Sequence, residues 1–85
     1  MSQVVMYTTA VCPFCVNAKR LLDSKGVKVK EIRVDREPHL RQKMMAESGE
    51  RTVPQIWIGD RHVGGFTELW ALDKRGELDP LLFAK

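Results

Sequence analysis

The chain has 85 residues, with 14 lysines and arginines against 11 aspartates and glutamates, a net charge of +3 and an isoelectric point near 9.1. A chain of this length makes one domain, residues 1–85, burying about 60–65% of its unfolded surface. Its ordinary apolar and charged fractions, 44% and 29%, exclude a disordered or low-complexity polypeptide.

Basic residues lie among acids, as with Lys43 and Glu47 or Lys74-Arg75 and Asp73, so the expectation is a solvated mixed-charge surface and no nucleic-acid partner. No apolar stretch approaches the length that spans a bilayer, so no membrane partner is expected. The start, Met1-Ser2-Gln3-Val4-Val5-Met6, has no basic segment and no long apolar run of a leader. A cytoplasmic protein is expected, and there structural disulfides are rare. Two cysteines three positions apart in such a chain point to catalysis or to a metal.

The apolar run Val4-Val5-Met6-Tyr7-Thr8 predicts a strand buried on both faces. Phe14, Ala18, Leu21 and Leu22 then recur with helical spacing, Pro13 suits the first helical position and Gly26 the residue just past the end. Residues 27–34 read as a second strand. Val27 and Val29 share one parity and Ile32 and Val34 the other, which a bulge or a late start would explain. A helix is expected from Pro38 to Ser48, with Leu40 and Met44 one turn apart and Gly49 as its stop. Pro54-Gln55-Ile56-Trp57-Ile58 predicts a third strand, Gly59-Asp60-Arg61 a turn, and His62-Val63 a short returning strand. After Gly64-Gly65, Thr67 is expected to cap a helix carrying Leu69, Trp70 and Leu72 and ended by Gly76. Asp79-Pro80 has the form of a cap and first residue for a last short helix. The order is βαβαββα with a helical tail, and the first β–α–β unit implies a right-handed parallel crossover. The expected fold class is α/β, a mixed four-stranded sheet with helices on both faces.

Cys12-Pro13-Phe14-Cys15 falls between the first strand and the first helix. Unpaired N–H groups and the dipole at a helix start favour negative charge, so a thiolate at Cys12 is stabilised there and becomes a usable nucleophile. Cys15, one turn on, is close enough to close a disulfide, which makes Cys12 the attacking and Cys15 the resolving sulfur. Two buried, inert cysteines are the plain alternative. A zinc site would need two more ligands, and neither His39 nor His62 has the spacing for it, so no metal is expected and both histidines read as surface or turn residues.

In Thr52-Val53-Pro54 a proline opens a strand, as strands allow. A cis Val53–Pro54 bond would turn the Val53 N–H and C=O outward to pair with an extended peptide, although most X-Pro bonds are trans. Gly64-Gly65-Phe66-Thr67-Glu68 lets backbone approach a ligand just before a helix N-terminus, where free N–H groups bind carboxylates.

Taken in order, Tyr7-Thr8, Cys12-Pro13-Phe14-Cys15, Thr52-Val53-Pro54, Gly64-Gly65 and Leu78-Asp79-Pro80-Leu81-Leu82 resemble a bacterial dithiol glutaredoxin over nearly the whole chain. The resemblance implies a thioredoxin-like fold and reduction of glutathione mixed disulfides and protein disulfides, with glutathione as co-substrate and no bound cofactor. It implies Cys12 as nucleophile, Cys15 as resolving cysteine, Phe14 as an aromatic wall where the family more often has Tyr, and Pro54 as the cis proline. It implies that Val53 pairs with the cysteinyl part of glutathione, that Thr52 lines the same groove, and that Arg41 faces the glycine carboxylate. Gly65, Phe66, Thr67 and Glu68 fall in the segment that holds the γ-glutamyl end, where the family usually has Cys-Asp-Asp in place of Phe66-Thr67-Glu68. Thr9 stands where many members have a lysine. The expected partners are glutathione and glutathionylated or disulfide-containing proteins, such as ribonucleotide reductase, and a monomer is expected. Two other readings are a redoxin fed by thioredoxin reductase and a carrier of a glutathione-ligated iron–sulfur cluster.

Overall fold

A computed structural model describes residues 3–83. Met1 and Ser2, with which the N-terminal reading above began, lie outside them. The first apolar run forms β1 (Val4–Thr8), followed by α1 (Pro13–Ser24), β2 (Val29–Arg33), α2 (Pro38–Ser48), β3 (Gln55–Ile58), β4 (Arg61–Gly64), α3 (Phe66–Lys74) and α4 (Leu78–Phe83). The sheet order is β2-β1-β3-β4, with β1 parallel to β2 and both other pairings antiparallel.

The unbroken apolar character of β1 follows from its central place. Val4 and Met6 join Ile56 and Ile58 of β3 in a core with Ala18 and Leu22 of α1, Leu69 and Leu72 of α3, and Leu78 and Leu82 of α4. Tyr7 points to the other face, where it packs with Val34, Met44 of α2 and Trp57. Helices therefore cover both faces, as expected of a mixed sheet of this class. On the α2 side the Tyr7 hydroxyl donates to Glu47 Oε1 at 3.3 Å. Burial, reinforced by the Glu47 carboxylate, pushes that hydroxyl above its ordinary pKa, which keeps it a donor.

The parity change over residues 27–34 comes from a late start. Val29 and Val27 face the first core while Ile32 and Val34 face the second, and β2 pairs with β1 without interruption from Val29 to Arg33. The irregular register lies instead in the hairpin, where Ile56 faces Gly64 but Trp57 faces His62. In α1 the buried stripe is Cys15, Ala18 and Leu22. Phe14, expected to open that stripe, is 59% exposed and lies outside it, against Phe66.

The far end of α1 is closed by a six-to-one bond from the Val27 N–H to the Leu22 carbonyl, with Gly26 at φ 75° donating to Asp23 O. Next to that turn, Lys25 Nζ reaches Asp73 Oδ1 at 2.7 Å and Asp79 Oδ1 at 2.9 Å, tying α1 to α3 and α4. Asp79, expected as a cap, stands inside the first turn of α4, which begins at Leu78, two residues before the start that Asp79-Pro80 suggested. The third strand likewise begins at Gln55, one residue after Pro54. Among the described residues no helix is long and apolar enough to cross a membrane.

Leu82 is fully buried and its neighbour Phe83 is 46% exposed. Leu82→Ala should cost about 2–5 kcal/mol in urea unfolding, from lost transfer energy and the cavity left behind. Phe83→Ala should stay within about 0.5 kcal/mol.

Candidate active site

Strand direction places the reactive segment. The chain leaves β1 at Thr8, and the antiparallel register sets Tyr7 beside Gln55, so the end of β1 and the start of β3 meet at one edge of the sheet. Residues 9–12 turn there into α1. The Thr8 carbonyl accepts the Val34 N–H at 2.9 Å, and the Ala10 N–H donates to Asp35 Oδ2 at 3.1 Å.

Cys12 is the residue before the first turn of α1, extended at φ −152° and ψ 95°. Its Sγ accepts the Cys15 N–H at 3.1 Å. The two sulfurs are joined as a disulfide, with the Cα atoms 5.2 Å apart. Cys12 is 9% exposed and Cys15 5%, so exposure alone separates them little. Position separates them better, for Cys12 Sγ lies 3.8 Å from the Val53 carbonyl oxygen. In the reduced protein the Cys15 N–H and the helix dipole favour a thiolate at Cys12, and such a pair can exchange disulfides.

The Val53–Pro54 bond is cis. Beyond it opens a groove of about 600 Å³. Phe14, Thr52, Val53, Pro54, Gly65, Phe66, Thr67 and Glu68, eight of the residues singled out in the sequence, all line it. The rings of Phe14 and Phe66 lie 6.4 Å apart and 27° from parallel, forming one apolar wall. Arg41 is not among the lining residues; its guanidinium donates to the Arg51 carbonyl at 3.2 Å, behind the Thr52 end.

At the other end of the groove the helix starts differently from expectation. Gly65 is the cap, and Thr67 is an exposed residue inside the first turn of α3. The capping is done by Glu68, whose Oε1 accepts the Gly65 N–H at 2.7 Å, half of a reciprocal box that glycine cannot complete. The sequence pattern misplaced the cap because Thr is a good cap by type, while Glu three residues after Gly65 was the stronger pattern. Gly64 sits at φ 117°, and a Cβ there would come 2.7 Å from Glu68 Oε1, so a side chain at this position would strain the backbone and push the carboxylate aside.

Sequence reasoning did not anticipate Gln55 and His62, which also line the groove. Gln55 is only 2% exposed and hydrogen-bonds Thr52 and His62. His62, expected at the surface or in a turn, is half-buried in β4 with its ring 4.5 Å from that of Trp57. A glutamine opening an otherwise apolar strand was the available signal. His39 is exposed beside Glu37, as expected.

Residues 4–63 match the family model described as glutaredoxin. A glutaredoxin of Pseudomonas aeruginosa is 54% identical over 84 residues, covering 99% of this chain and 100% of the relative. The solution structure of the Brucella melitensis glutaredoxin superposes with a TM-score of 0.86 at 48% identity, covering 96% of this chain and 89% of that one. A buckwheat glutaredoxin–glutathione complex superposes at 0.88 and 28% identity, covering 95% and 76%. The four-stranded mixed sheet with helices on both faces is the thioredoxin-like fold, and its cysteine pair at the start of α1 is that of a thiol–disulfide oxidoreductase family. Within that class, the chain belongs to the glutaredoxin family.

The Arg33 guanidinium, 2.7 Å away, and then the Ala10 N–H hold the Asp35 carboxyl well below its ordinary 3.8, at about 2. A depressed carboxyl stabilises the fold above its unfolded pKa and stops doing so as pH falls through the folded one. Protection of the Ala10 amide against hydrogen exchange should therefore be constant down to pH 3.8 and be lost as pH approaches 2. In Asp35→Asn it should already be weaker at neutral pH and show no such step.

Glu68→Ala should lower stability by about 1 kcal/mol in thermal unfolding, as loss of a cap does. Thr67→Ala should stay within about 0.5 kcal/mol. A larger loss in Thr67→Ala than in Glu68→Ala would return the cap to Thr67.

Proposed function

We propose that this chain is a cytoplasmic, monomeric glutathione-dependent reductase of glutathione mixed disulfides and protein disulfides. The observation that carries the reading is the placement of Cys12 Sγ: at the start of α1, on the Cys15 N–H, and against the Val53 carbonyl where the groove begins. The buckwheat relative that superposes on the chain was solved with glutathione bound.

The Cys12 thiolate attacks the glutathione sulfur of a mixed disulfide. The Cys12–glutathione disulfide forms, the substrate's S–S bond breaks, and the bonding pair leaves with the substrate thiolate, which takes a proton from water. A second glutathione thiolate attacks the glutathione sulfur held on Cys12, giving glutathione disulfide and restoring the Cys12 thiolate. With a protein disulfide as substrate, Cys12 attacks first, Cys15 displaces the mixed disulfide, and the product is the Cys12–Cys15 bond seen in this structure. Two glutathiones then reduce that bond. No bound cofactor takes part.

In the groove, the Val53 N–H and C=O pair with the cysteinyl unit of glutathione, Phe14 and Phe66 wall it, and Thr52 lines its side. The N–H groups at the start of α3 take the γ-glutamyl carboxylate. Glu68 uses one oxygen for the Gly65 N–H and keeps the other for the glutathione ammonium. Arg41, whose guanidinium donates to the Arg51 carbonyl next to Thr52, supplies positive charge for the glycine carboxylate.

A coupled assay with a glutathionylated peptide tests the reading. Wild type should turn over with glutathione and glutathione reductase and be slow with thioredoxin reductase. Cys12→Ser should lose all activity. Cys15→Ser should keep most of its activity on the peptide and lose reduction of protein disulfides. Faster turnover with thioredoxin reductase than with glutathione would overturn the choice of reductant, and a Cys15→Ser protein as inactive as Cys12→Ser would overturn the roles.

A further inference from the structure

Gln55 is almost wholly buried, yet every polar atom of its side chain is engaged. Its Nε2 lies 3.0 Å from the Thr52 carbonyl oxygen and 3.3 Å from Thr52 Oγ1. Its Oε1 lies 2.7 Å from His62 Nε2. A carbonyl oxygen can only accept, so the amide nitrogen must face Thr52; the flipped amide would set two carbonyl oxygens against each other. Oε1 can then only accept from His62, which requires a proton on His62 Nε2. Trp57 packs against the imidazole that makes this donation, with the ring centroids 4.5 Å apart and the planes at 34°. The chain of bonds runs from β4 through the head of β3 to Thr52, next to Val53, and ends at the groove.

We infer that Gln55, held by His62, is a positioning residue that sets the Thr52-Val53 turn for ligand and commits the Thr52 hydroxyl to donating into the groove. With Oγ1 already accepting from Gln55, the hydroxyl proton of the exposed Thr52 is directed outward. The groove therefore favours an acceptor at that point, such as a peptide carbonyl or carboxylate of the bound thiol. The inference rests on the groove being the glutathione site in the ligand it assigns; the hydrogen-bond chain stands on the geometry alone.

Gln55→Met keeps the volume and removes both ends of the bridge. It should raise KM for the glutathionylated peptide by about three- to ten-fold, the worth of a lost hydrogen bond, while kcat and the alkylation rate of reduced Cys12 stay within about two-fold. Thr52→Val should do the same, Thr52→Ser should restore wild-type KM, and the double variant with Gln55→Met should be no worse than either single change, because both act through one bond. His62→Phe, which keeps a ring against Trp57, is the second probe should Gln55→Met fail to fold. Independently of any substrate, nitrogen-15 spectra of wild type should show the neutral His62 protonated at Nε2, and the Val53 amide should exchange faster in His62→Phe. Unchanged KM in the variants, additive effects in the double variant, or a His62 protonated only at Nδ1 would overturn the inference. A wild type inert toward the peptide overturns the glutathione reading instead, and the His62 tautomer and Val53 exchange then decide the bond chain.

Discussion

Antiparallel pairing governs where the chemistry can be. Because β3 runs against β1, the residues before β3 must lie beside the residues after β1, so Val53 and Cys12 meet although 41 positions separate them. Because β4 in turn runs against β3, Gly64 at its end faces Ile56 near the beginning of β3, and α3 must begin at that same edge. Three loop segments with no local relation in sequence are thereby gathered around one groove. Parallel pairing of β1 with β2 leaves α1 to make the crossover, and its N-terminus falls at the same edge.

The two ends of α1 serve different ends of the molecule. The twelve-residue helix is about 18 Å long. At its start the sulfur chemistry sits on backbone groups and an apolar wall; at its finish Lys25 bridges two acids from the last two helices. Between them Ala18 and Leu22 are buried against the sheet. A site at a helix start needs that start to hold still, and here the cross-linking is gathered at the opposite end, leaving the groove open to ligand.

Much of this was legible in the residues, because the strongest local patterns agree with the global fold. The apolar run of β1, proline at the head of α1 and α2, and the glycines after α1, α2 and α3 all stand where patterning puts them. The cysteine pair and most of the groove could be named from motifs whose order carried more information than any one of them. What failed did so for identifiable reasons. Phe14 has the right spacing for the core stripe, yet the helix is rotated so that Cys15 faces inward. Thr67 is a good cap by residue type, but the Glu68 carboxylate reaching back to Gly65 decided the helix start. The Gln55–His62 bridge depends on two strands being brought together, and no local window contains both of its ends together with the groove they serve.

The sulfur of Cys12 receives its hydrogen bond from a main-chain amide, not from a side chain. Every amino acid except proline supplies that amide, so the support is indifferent to what side chain position 15 carries. The electrostatic environment of the Cys12 sulfur is in this respect set by the fold. Side chains beside it, such as Thr9 and Phe14, can therefore change without removing that hydrogen bond.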